Sequence, residues 1–235
     1  MCNENVVHKE TYKGYTIKIL PDEDGMNPIK EFDMAGKMVC WHRRYNLGHE
    51  QPRLDPQAWL QSLAEQAGKN YFDDMPESLI WKVINRHYIF LPLNLYDHSG
   101  ISISTISFVG RAQHAEWDSG QVGWIYISKA DAIKEFGKTR YNKTVEQKAI
   151  NCLVAEVKTY DDYLTGNVYG YIVEDAEGNN IESCWGFYPD SDDKIGYEYC
   201  LSEAKSQADY LVEQAQKKQV VLDFTNAYGA GEQND

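Results

Sequence analysis

Tyr88 to Phe108 reads YIFLPLNLYDHSGISISTISF. Tyr88–Tyr96 is apolar and aromatic, as a well-buried strand requires. Pro92 within it points to an edge position or a bulge, because proline donates nothing to a ladder. Asp97-His98-Ser99-Gly100 is a tight run of turn formers. Ile101–Phe108 then alternates strictly and is expected to pair back as the second arm of a hairpin. A chain whose strands come in hairpins, rather than alternating singly with helices, is expected to be α+β: an antiparallel sheet built from hairpins, with helices packed on it.

The flanking sequence repeats this logic. Thr11–Leu20 alternates and reads as a strand ending in Pro21-Asp22-Glu23-Asp24-Gly25. Lys37–Trp41 is a short strand followed by a basic loop, His42 to Gly48. Asp55-Pro56 opens a helix with a good N-cap and a proline at its first position, and Gly68 stops it. A further helix begins at Pro76, and Val122–Ile127 is another strand. Ser128 with Asp131, and Thr144 with Gln147, resemble capping boxes. The second opens an amphipathic helix through Val145, Ala149, Cys152, Leu153, Val157, Tyr160 and Leu164, ending at Gly166. Val168–Glu174 and Ile181–Tyr188 form a hairpin, and Tyr199–Lys217 a final helix. Residues 1–228 are expected to form one α+β domain, with a candidate subdivision near 75–87 and a disordered tail at 229–235.

The net charge is −13, and its distribution is uneven. Glu156–Glu213 holds 14 Asp and Glu against 3 Lys, a net −11. Such a surface repels phosphate backbones, so no direct nucleic-acid binding is expected through this half. It meets a basic protein groove, mimics nucleic acid, or serves as a solvated face that keeps the protein in solution. No stretch has the roughly 18 apolar residues of a membrane span, and the first residues lack the pattern of a secretory signal, so no membrane partner and a cytoplasmic location are expected. Five widely spaced cysteines with no C-x-x-C pair give neither a disulfide framework nor a thiolate zinc site.

Two clusters carry candidate ligand chemistry. Asp97, His98 and Ser99 end one strand; Asp118, Ser119 and Gln121 precede the next, so the six converge on one rim if those strands are neighbours. His98 with Asp97 or Asp118 is a candidate acid–base pair of a hydrolase, and His98, His114 and Asp118 form an alternative set of metal ligands. The plainer reading is that Asp and Ser before Gly make turns. Asp118-Ser119-Gly120 is not a nucleophile elbow, because Trp117 stands where glycine is required. Trp41, Arg43, Arg44 and Tyr45 are the compact basic and aromatic patch, suited to stacking and phosphate contact or else a solvated strand edge. On the acidic half, Trp185, Phe187, Tyr188, Asp190, Asp192 and Asp193 are candidates for protein binding, against core packing under the last helix. No phosphate loop, dinucleotide fingerprint or zinc motif is present; no cofactor or metal is assigned.

MVCWHRRYNLGHE (38–50), LPLNLYDHSGIS (91–102), WDSGQVGWIYISK (117–129), TYDDYLTGNVYGYIVED (159–175) and ESCWGFY (182–188) together resemble a family of accessory proteins of bacteriophages and other mobile elements. The likeness runs from about Asp22 to about Leu211 and carries over no catalytic residue. Val109–Glu116 is a longer connection than that pattern, which sets His114 apart from any shared site. The resemblance implies a protein that binds and inhibits a host bacterial protein, such as a defence component, without chemistry of its own. The alternatives are a protein that sequesters a nucleotide-type ligand, and the hydrolase.

Overall fold

The computed structural model describes residues 5–68, 76–190 and 193–228. Asp192 and the tail expected at 229–235 lie outside them. In chain order the elements are β1 (His8–Tyr12), β2 (Tyr15–Pro21), α1 (Pro28–Glu31), β3 (Lys37–Cys40), α2 (Pro56–Gly68), α3 (Glu77–His87), β4 (Tyr88–Asp97) and β5 (Ile101–Ser104). There follow α4 (Ala115–Asp118), β6 (Ser119–Ser128), α5 (Lys129–Glu135), α6 (Lys143–Thr165), β7 (Tyr169–Glu174), β8 (Asn180–Phe187) and α7 (Glu198–Tyr228). The fold is α+β, with two four-stranded antiparallel sheets. The chain divides into two compact units: Met1–Gly25 with Gly166–Asp235, and Met26–Thr165. The 75–87 region, where a subdivision was expected, lies inside the second unit.

The first unit holds the sheet β1-β2-β7-β8. Thr11–Leu20, expected as a single strand, belongs to two. Lys13 (φ 49°) and Gly14 (φ 89°) both take left-handed backbone and fold the chain into a tight hairpin. Ile17, Ile19, Tyr171 and Val173 point to one face, where Cys200, Ala204 and Ala208 of α7 bury against them. The small residues let the helix approach closely. α7 runs eleven residues beyond the expected end at Lys217.

The second unit has three layers around the sheet β3-β6-β4-β5. Met38, Leu93, Leu95, Ile103 and Ile125 meet Val145, Ala149, Leu153 and Val157 of α6 on one face. On the other, α2 and α3 bring Leu60, Ala64, Ile80 and Ile84, flanked by their own Trp59 and Trp81, against Phe90 and Trp124 of the sheet. Pro92 stands beyond the end of β5, which pairs only with Asn94–Asp97, and a bulge follows between Leu93 and Asn94. β5 is four residues shorter than expected, because the Ser104 and Ser107 hydroxyls accept the N–H groups of Ile106 (3.1 Å) and Val109 (3.2 Å) and curl the chain locally. α6 is capped by Asn142, whose Oδ1 accepts the Val145 N–H at 2.9 Å, rather than by Thr144.

Two carboxylates of α6 tie down the margins of this sheet. Glu156 accepts the N–H groups of Ala35 (2.6 Å) and Gly36 (2.9 Å), just before the edge strand β3. Asp161 accepts the Ile103 N–H and the Ser102 hydroxyl, both at 2.8 Å, on the opposite edge strand β5. Burial raises the pKa of both carboxyls, and the donated hydrogen bonds only partly offset it.

A raised carboxyl pKa favours folding fully below its unfolded value, and that contribution is lost as pH climbs through the folded value. Urea unfolding from about pH 4 to about pH 7 is therefore expected to show wild type losing stability relative to Glu156→Gln, which cannot ionise. Parallel curves would refute the burial account. At Gly123 an added Cβ would lie 1.9 Å from the Val39 carbonyl oxygen across the β3–β6 pair. Gly123→Ala is expected to lower the unfolding free energy by about 1–3 kcal/mol in the same assay.

Candidate functional site

β4 and β6 are neighbours, and their register brings Tyr96 opposite Ser119. The two sequence clusters therefore meet at one end of the sheet. His98 Nδ1 lies 2.8 Å from Asp118 Oδ2, linking the β4–β5 turn to the α4–β6 junction. Tyr96 stacks on the His98 ring at 5.8 Å, and the His114 ring is 5.9 Å from it. Ser99 (φ 59°) and His114 (φ 56°) both hold left-handed backbone, an uncommon state for residues with a side chain.

Asp97 is not the partner of His98. Its Oδ2 pairs with the Arg44 guanidinium, and its Oδ1 accepts the Tyr45 hydroxyl at 3.2 Å. The basic loop after β3 thus reaches the same rim. Ser119 and Gln121 spend their polar atoms locally, donating to the Ala115 carbonyl (2.6 Å) and the Gly123 carbonyl (3.2 Å). Among the described residues no hydroxyl or thiol bonds to His98. The dyad can hold an imidazole in one orientation, but no nucleophile is aligned with it. No group of three or more His, Cys, Asp or Glu among the described residues is placed to hold a metal ion.

Trp41 and Arg43 go elsewhere. The Trp41 indole N–H donates to the Leu54 carbonyl at 2.8 Å, and its ring is braced edge-on by Trp59 (5.5 Å) and Trp124 (5.6 Å). With Cys40, His42, Arg43, Gln51 and Pro52 it lines a cleft of about 370 Å³. Burial pushes the Cys40 thiol up to about 12, so it stays protonated and unreactive at neutral pH.

In the first unit, Trp185 is exposed on the edge strand β8, with its ring over the Cα of Gly170. Phe187 is half-buried against Tyr171 (5.6 Å) and Tyr199 (5.7 Å), which is core packing. Asp193 accepts the N–H groups of Ile195 (3.2 Å) and Gly196 (2.7 Å) and shapes the entry to α7. Tyr188 is half-buried, and Asp190 is exposed, its backbone carbonyl accepting the Asp193 N–H at 3.1 Å. Sequence reasoning passed over Trp117, which is 87% exposed beside Asp118.

No protein-family model matches the chain, and neither does any curated protein or solved structure.

Both members of the dyad are partly exposed, at 41% for His98 and 32% for Asp118. Asp118→Asn is therefore expected to cost less than about 1 kcal/mol in urea unfolding. A larger loss would make the pair a structural clamp.

Proposed function

We propose that this chain acts by binding, without catalysis, and that its acidic unit captures a basic, extended segment of a partner protein along β8. The observation that carries this reading is the segregation of charge. Residues 1–25 and 166–235 hold 19 Asp and Glu against 7 Lys, a net −12. Residues 26–165 hold 17 against 16 Lys and Arg, a net −1. Essentially all of the acidity belongs to one unit.

β8 gives that charge a point of attachment. It is an edge strand, so one row of its backbone donors and acceptors has no ladder partner in the sheet. Asn180 to Trp185 are all exposed, including Ile181 and Trp185, and Glu182 stands between them. An added strand gains main-chain hydrogen bonds there, while its lysines or arginines meet the acidic field. The resemblance to mobile-element accessory proteins supports a host bacterial protein as that partner, in the host cytoplasm. No helix among the described residues is long and apolar enough to cross a membrane.

The test starts with capture from host lysate and identification of the bound protein, followed by titration with both components pure. Binding is expected to weaken at least about tenfold between about 0.1 and 0.5 M salt, because exposed charges are screened there. The double variant Glu182→Lys, Trp185→Ala is expected to weaken it as much. Affinity indifferent to both changes would dismiss this surface as the contact.

A further inference from the structure

We infer that the cleft beside β3 in the second unit is a binding site for a nucleoside monophosphate, independent of the acidic unit. The loop after β3 divides its side chains between two destinations. Arg44 and Tyr45 are committed to Asp97, which leaves Arg44 neutralised. Arg43 is exposed, lines the cleft, and forms no ion pair among the described residues. A guanidinium without a counter-ion at the mouth of a cleft is a natural seat for an anion.

His42 adds a second donor. Its Nδ1 accepts the backbone N–H groups of Arg44 (3.3 Å) and Tyr45 (3.1 Å), so in the neutral ring the proton sits on Nε2. The ring is held flat against Tyr45, 4.9 Å between centroids and 8° between planes. The Nε2–H is therefore a fixed donor with no partner among the described residues.

The third element is aromatic. Trp41 cannot swing away, because Leu54 holds its N–H and Trp59 and Trp124 brace its ring. A pinned indole offers a planar group a stacking wall without an ordering cost. Together the cleft presents an aromatic wall, one cation and one oriented donor. Those features match the planar base and single phosphate of a mononucleotide. The volume of about 370 Å³ sits at the small end of ligand pockets, which suits a mononucleotide better than a dinucleotide. The near-neutral charge of residues 26–165 does not repel the phosphate.

The experiment is calorimetric titration of the full chain with AMP, UMP, adenosine and inorganic phosphate, repeated on Arg43→Gln. Both monophosphates are expected to bind, and more tightly than adenosine or phosphate alone. Arg43→Gln should weaken the monophosphates about tenfold or more and leave adenosine unchanged. Its melting temperature should match wild type, since Arg43 is exposed. No binding of either monophosphate at millimolar concentration overturns the assignment. So does unchanged affinity in Arg43→Gln, or phosphate alone binding as tightly as AMP. Capture of the basic partner is unaffected by Arg43→Gln whichever result is obtained, so the two readings stand or fall separately.

Discussion

The ladder between β4 and β6 positions almost everything of interest in the second unit. It runs from Tyr88 opposite Ser128 to Tyr96 opposite Ser119, with one bulge after Leu93. Because β6 starts immediately after α4, the ladder fixes Asp118 beside the turn that follows β4, and His98 meets it there. On its other side β6 accepts β3, and the approach is so close that position 123 has room only for glycine. That pairing delivers the loop 41–45 to the sheet end. The registers of β6 with its two neighbours thus set the His98–Asp118 contact on one side and the Arg44–Asp97 contact through the other.

The margins of the sheet show how buried charge is put to use. An edge strand leaves backbone groups unpaired, and a helix packed across the sheet would ordinarily leave them dry and unsatisfied. α6 instead carries Glu156 toward the backbone before β3 and Asp161 toward β5. Each carboxyl loses hydration, which raises its pKa, yet each satisfies two donors. Replacing either by an apolar residue would remove the desolvation cost and orphan the donors.

Local signals in the sequence were enough to expose the β4–β5 and β7–β8 hairpins and the long amphipathic helix, because period-two and period-3.6 patterns depend only on neighbours. Asp55 does cap its helix, accepting the N–H groups of Gln57 and Ala58 at 3.0 Å, and Ser128 caps α5 by accepting the Asp131 N–H. What escaped depended on backbone state or on distant partners. A lysine at φ 49° before a glycine looks like any strand residue, so the β1–β2 turn was invisible. Serines that fit a strand by alternation turned out to bond their own backbone. At the site, convergence of His98 with Asp118 followed from the proposed strand pairing. The capture of Asp97 by Arg44, 53 positions away, required knowing that β3 docks on β6.

Adjacent arginines make the same point about function. Arg43 and Arg44 are indistinguishable by composition, and both were nominated for phosphate contact. Their fates differ because the chain bends at this pair, with the His42 ring accepting the Arg44 and Tyr45 N–H groups: one arginine meets a carboxylate, the other lines a cleft beside a fixed tryptophan. A cation already paired has little to offer an incoming anion, since binding must first break the existing bond. The unpaired neighbour bears no such cost. Which arginine is left without a carboxylate partner is therefore decided by Asp97, a residue that does not line the cleft.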